Sequence, residues 1–122
     1  MDVTGSQVDV LARLLDVASL RHGVIAQNVA NINTPAYRQQ EVGFEDKLRR
    51  ALERGDPAAV ASALRAEPQV GEGVGGADRL DGNNVDIDQE MGALTKNTLL
   101  YRLYGQVLAS QLGQLRSAIV GQ

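Results

Sequence analysis

The chain has 122 residues, enough for one domain with or without tails. Its net charge of −3 and scattered basic residues give no electrostatic sign of nucleic-acid binding, and the lack of cysteine excludes disulfides, thiolate metal sites and cysteine nucleophiles. No charge-free apolar stretch reaches about 18 residues, and the N-terminal residues lack the pattern of a cleavable secretory signal, so neither feature is expected.

The first predicted element is an amphipathic helix from about Ser6 to Asn31. Its apolar face repeats in alternating steps of three and four residues, which is typical of a heptad seam: Val8, Leu11, Leu15, Ala18, His22, Ile25, Val29 and Ile32. A second apolar stripe runs beside this seam, through Val10, Leu14, Val17 and Val24. The apolar face is therefore wider than a two-stranded coiled coil requires.

The helix is predicted to end in the motif NVANINTPAYR, which contains three asparagines. Asn31 or Asn33 can take a left-handed backbone conformation at low cost, and Thr34 favours an extended one because Pro35 follows it. Tyr37 can then fold back as an anchor. The simpler interpretation, a capped helix end, explains one asparagine but not three together with the tyrosine.

The middle of the chain has a weaker pattern. Phe44 to Arg54 predicts a short amphipathic helix that ends at Gly55, and Asp56 followed by Pro57 predicts the start of another helix. The glycine-rich segment VGEGVGGADRLDGNN follows and is predicted to be flexible. A short hairpin within about residues 67–80 remains an alternative, and no strand with clean alternation is evident.

The last predicted element is a helix from about Ile87 to Val120, with Asp86 as its N-cap. Its apolar positions again alternate in steps of four and three: Ile87, Met91, Leu94, Thr98, Tyr101, Gly105, Leu108, Leu112, Leu115 and Ile119. Leu100, Tyr104 and Val107 widen this face.

These elements predict a mainly α protein whose terminal helices pair as a coiled coil around a loose, partly helical or short-hairpin middle. The predicted segments are 1–40 (first helix and its terminal motif), 41–84 (flexible middle with short helices) and 85–122 (last helix). A two-helix pair buries too little apolar surface to offset the ordering of its residues. The second stripe on each helix is expected to have no partner within the chain, so assembly with other copies or other proteins is predicted.

No catalytic, cofactor-binding or metal site is predicted, so the chain is not expected to be an enzyme. The single histidine, His22, lacks a catalytic partner in the sequence and is expected to be packed or at an interface. DGNNVDIDQE fails as an EF-hand loop because its glycine comes second and position twelve is Gly92. GEGVGG lacks the flanking strand and helix of a phosphate-binding loop.

The motif NVANINTPAYR resembles the N-terminal signature of the bacterial flagellar rod, hook and hook-associated proteins. It matches that signature at Asn28, Ala30, Asn31, Asn33, Thr34 and Tyr37, and departs from it at Gln27 and Ala36. Glycine is usual in that signature at the position of Ala36. Because alanine has a Cβ, a positive φ is less expected at Ala36. The short chain, the Thr-Pro pair and the C-terminal segment from residue 81 are most similar to the FlgB-type proximal rod proteins.

The resemblance implies a structural subunit of the periplasmic rod of the flagellar basal body, exported without a cleaved signal peptide. It implies polymerisation through the terminal helices into a hollow shaft that transmits torque and conducts exported subunits. The implied partners are other copies, the rod proteins FlgC, FlgF and FlgG, the adaptor FliE, and the membrane ring and export gate; neither a nucleic acid nor a small-molecule substrate is implied. The alternatives are a FlgC-like rod subunit and a helical adaptor that binds a partner helix.

The residues predicted to carry assembly come from the two seams and from the motif between them. They are Leu11, Leu15, Ile25, Asn28, Ala30, Asn31, Asn33, Thr34, Pro35, Tyr37, Met91, Leu94, Tyr101, Leu108, Leu112 and Leu115.

Overall fold

A computed structural model describes residues 3–121, with side chains from residue 7 onward. The elements in chain order are α1 (Val3–Ala30), β1 (Gln40–Gly43), α2 (Glu45–Arg54), α3 (Pro57–Arg65), β2 (Gln69–Glu72) and α4 (Ile87–Val120). The predicted mainly helical class is confirmed, with a short antiparallel sheet added. Residues 1, 2 and 122, which the predicted segments 1–40 and 85–122 include, lie outside the described residues.

Helices α1 and α4 lie side by side and run in opposite directions. The Asn97 side chain donates a hydrogen bond to the carbonyl oxygen of Ala18, and the Asn28 side chain donates one to Glu90. With this register, α4 continues for about five to eight residues, or about 8–12 Å, beyond the first described residue of α1. The distal end of α4 therefore has no described part of α1 beside it.

Local signals set the ends of the helices where the sequence predicted them. Asp56 caps α3 by accepting a hydrogen bond from the Ala58 N–H, and Gly55 ends α2 with a left-handed φ of 64°. Asp86 caps α4 by accepting hydrogen bonds from the N–H groups of Asp88 and Gln89. The predicted caps are confirmed.

The sheet differs from the hairpin considered within residues 67–80. Strand β2 lies in that segment, but it pairs with β1, which precedes α2, in an antiparallel register that places Gln40 opposite Glu72 and Val42 opposite Val70. Strand β1 was not predicted because it has only four residues, of which one is buried. Its position depends on contacts with α1 rather than on alternation.

The hydrophobic core corrects the expectation that the second stripe of α1 has no partner within the chain. Val17 and Val24 of that stripe are buried, and Val10 and Leu14 are partly buried. They pack against the middle of the chain, whose buried core residues are Val42, Phe44, Leu48, Ala51 and Ala63. The middle segment is therefore a packed layer on α1.

The glycine-rich segment also packs closely, contrary to its predicted flexibility. The Gly73 N–H donates to the carbonyl oxygen of Gln39, and the Gly76 N–H donates to that of Asn84. A Cβ at Gly73 would overlap the Gln39 side chain, and one at Gly75 would overlap the Asn84 side chain. Glycine is needed here because the backbone lies directly on buried amides.

The buried face of α4 begins at different residues from the predicted seam. Glu90 and Asn97 are buried there, whereas Ile87 and Met91 are 43% and 47% exposed. His22, placed on the seam of α1, is also exposed. Hydrophobic periodicity missed this face because two of its innermost side chains are polar.

Candidate assembly site at the end of helix α1

Asn28 is at the centre of a polar junction between α1, β1 and α4. Its side chain is fully buried, with 0% exposure. The amide nitrogen donates to the Gln40 carbonyl at 2.8 Å and to Glu90 Oε2 at 3.0 Å. The amide oxygen accepts from the Gln40 N–H at 3.0 Å and from the Tyr37 hydroxyl at 3.1 Å. All four hydrogen-bonding positions of this amide are used, and they connect α1 to β1, to α4 and to Tyr37.

Glu90 is a buried carboxylate whose hydrogen-bond partners are neutral amides. Oε2 accepts from Asn28, and Oε1 accepts from Gln39 Nε2 at 3.0 Å. Burial, and secondarily the charge of Glu90, raise the pKa of the Tyr37 phenol, which keeps that hydroxyl protonated as a donor to Asn28. Both carboxylate oxygens are thus used in joining α4 to α1 and β1.

Asn83, in the turn before α4, holds the chain that leaves α1. Its amide nitrogen donates to the carbonyl oxygens of Asn31 and Thr34, both at 2.9 Å, and its amide oxygen accepts from the Val85 N–H at 2.8 Å. Arg79 donates to the carbonyl oxygen of Ile32. Carbonyl groups of the turn that follows α1 are therefore bonded by side chains 47 to 52 positions away in sequence.

Ala36 has a φ of 62°, so the expectation that alanine avoids a positive φ at this position is wrong. Its N–H donates to the carbonyl oxygen of Asp81 at 2.8 Å, and its Cα lies close to Gly82, whose φ is 84°. Contact with the turn before α4 imposes the left-handed conformation on Ala36 in spite of its Cβ.

The predicted residues of the motif divide into an internal and an external set. Asn28 is buried and Tyr37 is half-buried, while the Asn31 side chain accepts from the Thr34 hydroxyl at 3.0 Å within the turn. The exposed members are Ala30, Asn33, Thr34 and Pro35. Part of the motif therefore forms hydrogen bonds within the end of α1, and the rest of it is exposed at the surface.

The predicted seam residues also divide. Ile25 is buried, and the partly buried members are Leu11, Leu15, Leu94, Leu108 and Leu115. Met91, Tyr101 and Leu112 are about half exposed. On the distal half of α4, Ile119 and Val120 add to the exposed apolar surface. The first group is thus at least partly covered within the described chain, whereas the second group is left about half exposed.

Sequence reasoning missed four buried polar residues of the junction. They are Gln39, Asn83, Asn84 and Glu90. The pair Asn83-Asn84 carried a signal, since two asparagines after Asp-Gly exceed the needs of a turn. Gln39 and Glu90 carried none, because glutamine and glutamate side chains normally face solvent.

Within residues 3–121, no group of three or more His, Cys, Asp or Glu side chains could hold a metal ion. None of the helices described combines the length and apolar content needed to cross a membrane.

Similar proteins define the class of this chain as the flagellar basal body rod proteins. The FlgB rod protein of Borrelia hermsii is 36% identical over 89% of this chain and 92% of its own length. The FlgB protein of Borreliella burgdorferi is 33% identical over 84% and 87%, and that of Salmonella typhimurium is 28% identical over 88% of each. No protein-family model matches the chain.

The identity and coverage of these relatives confirm the resemblance carried by the motif. The chain belongs to the FlgB family of flagellar basal body rod proteins.

Proposed function

We propose that this chain is a structural subunit that polymerises through its terminal helices to form the proximal part of the periplasmic rod. The rod would be a hollow drive shaft that transmits torque and conducts exported subunits. The partners proposed are other copies, the rod proteins FlgC, FlgF and FlgG, the adaptor FliE, and the membrane ring and export gate.

The observation that carries this proposal is the apolar surface on the distal half of α4. Leu112 is 49% exposed near the level at which the described part of α1 begins, and Ile119 and Val120 are exposed beyond that level. Contiguous apolar side chains on a helix need a covering partner in water. A neighbouring subunit that covers this face would stabilise both the overhang and the shaft.

The decisive variant is Leu112→Asp, which should abolish motility and rod assembly while the subunit itself still folds. Leu112 is about half exposed, so the aspartate costs little in the isolated subunit. In the assembly it would place a charge in an apolar contact. The measurements are swimming motility, rod content of purified basal bodies and circular dichroism of the purified chain.

Gln114→Asp provides the matched control, because Gln114 is exposed on the opposite side of the same turn of α4. It should leave motility and rod content close to wild type. Normal motility in the Leu112→Asp strain would refute the proposed role of this face.

A further inference from the structure

A groove between α2 and α3 is lined on its α2 wall by three cations and one acidic residue. Its volume is about 610 Å³, and Lys47, Arg50 and Arg54 line one side. Steps of three and four residues place these three cations on the same side of α2. None of them forms an ion pair within the described residues, since the acidic Glu53, which also lines the groove, is bonded to Arg49.

The opposite wall of the groove comes from α3 and consists of small side chains. They are Ala59, Ser62, Ala63 and Ala66. Small residues leave room for larger apolar side chains of a partner to approach the backbone. The groove therefore suits a segment that is acidic and bears a few projecting apolar side chains.

The chain itself exposes a segment of that description at the start of α4. Residues 81–88 contain three acidic residues and no basic residue. Asp81, Asp86 and Asp88 are exposed and form no ion pair within the described residues, and Ile87 and Met91 project beside them. This segment has both the charge and the apolar side chains that the groove lacks.

The two surfaces are too far apart to meet within one molecule. Helix α3 packs near Val10 and Leu14 of α1, whereas the start of α4 lies beside Asn28. Along α1 this separation is about 20 Å. Two different complementary patches on one chain are what a head-to-tail contact between copies requires, and such contacts generate rings or helical filaments.

We propose that the start of α4 of one copy docks in the basic groove between α2 and α3 of the next copy. The contact rests on the proposed self-assembly and specifies one of its interfaces. The carboxylates of the α4 segment pair with the cations of α2, where arginine can bind a carboxylate with two parallel hydrogen bonds. Ile87 and Met91 contact the small side chains of α3.

Disulfide cross-linking tests this contact cleanly because the chain has no cysteine. One full-length variant carries Ser62→Cys in the groove and the other carries Ile87→Cys at the start of α4. The mixture should give at least about tenfold more disulfide-linked dimer than either variant alone. Ser19→Cys, at an exposed position on α1 outside the groove, is the control partner for Ile87→Cys and should give only background.

Charge reversal supplies the second arm of the experiment. Adding Arg50→Glu and Arg54→Glu to the Ser62→Cys chain should reduce cross-linking with Ile87→Cys by about tenfold or more. Adding Asp88→Lys and Thr95→Lys to the Ile87→Cys chain should restore it, because the charges are again opposite. Asp86 is left unchanged, since it caps α4.

Each outcome decides between the contact and the wider function. The proposed contact is overturned if the mixture of the two cysteine variants gives only background cross-linking. It is also overturned if the charge-reversed α2 reduces cross-linking and the charge-reversed α4 does not restore it. If Leu112→Asp still abolishes rod assembly in that case, self-assembly stands and only this interface is wrong. If cross-linking behaves as expected while Leu112→Asp leaves assembly intact, the contact stands and the role of the distal face of α4 is refuted.

Discussion

At the scale of single residues, the junction at the end of α1 depends on Asn28, whose side-chain amide uses all of its hydrogen-bonding positions. The Asn28 side chain bonds both backbone groups of Gln40 as a neighbouring strand would, and it also binds Glu90 and Tyr37. An aspartate could not donate to Glu90, and an alanine would leave buried polar groups without partners. Asparagine at this position is thus explained by the fold alone, before any contact with a neighbour is considered.

Ala36→Gly should increase the free energy of unfolding by about 1 kcal/mol, because glycine takes a φ of 62° without steric cost. The measurement is urea-induced unfolding followed by circular dichroism. Ala77→Gly is the control: Ala77 is exposed, lies in a loop and has no positive φ, so this change should lower stability by about 0.4–1 kcal/mol. Equal effects of the two substitutions would contradict strain at Ala36.

At the scale of elements, local signals set where helices begin and end, while side chains of α1 fix how the sheet attaches. Arg21 donates to the carbonyl oxygen of Val42 at 3.0 Å and bonds both carboxylate oxygens of Glu45, at the start of α2. Together with Asn28, which covers Gln40, it closes the outer edge of β1. A four-residue strand persists because this edge is satisfied.

The Arg21–Glu45 pair predicts a pH dependence of stability. Burial raises the pKa of the Glu45 carboxyl, but the hydrogen bonds from Arg21 and from backbone N–H groups outweigh it and lower the pKa below its usual value. The resulting stabilisation is present above the unfolded pKa of about 4.3 and is lost as the pH falls through the folded pKa. Glu45→Gln should therefore reduce the loss of stability between about pH 6 and pH 3.

The effect should not exceed about 1 kcal/mol, because Glu45 is nearly half exposed and solvent screens the pair. Urea unfolding at several pH values measures it. In an Arg21→Gln background, Glu45→Gln should change the pH profile much less. An unchanged profile in the single variant would contradict the lowered pKa.

At the scale of the whole molecule, the middle segment is the layer that makes the chain more than a pair of helices. Phe44 is buried against Val17 and Val24 of α1, and the Arg13 guanidinium lies 5.6 Å from the centre of its ring. The apolar area that two helices could not bury between themselves is covered here. The large apolar side chains that stay exposed are concentrated on α4.

Phe44→Ala tests whether this layer contributes to folding of the isolated subunit. It should lower the free energy of unfolding by about 3–5 kcal/mol, as expected for a large cavity in a core. Leu52→Ala, on the same helix but 53% exposed, should cost less than about 1 kcal/mol. Similar small losses for both variants, measured by thermal and urea unfolding, would mean that the middle is as loose as the sequence suggested.

The sequence by itself determined those features that depend on neighbours a few residues away. It placed α4 at Ile87–Val120 with Asp86 as its cap, and it ended α2 at Gly55 and began α3 at Pro57. Capping, turn chemistry and helical periodicity act within one or two turns, so the residues that cause them can be read in the sequence. The motif also indicated the family.

Only the tertiary structure decided the pairings between distant segments. The partner of β2, the burial of Glu90 and Asn97, the left-handed Ala36 and the cover over the second stripe of α1 all follow from contacts between residues about 20 to 80 positions apart. A buried polar side chain is stable only where its partners converge, and no local pattern reports that convergence. Helix ends were therefore predictable, whereas the junction that joins them was not.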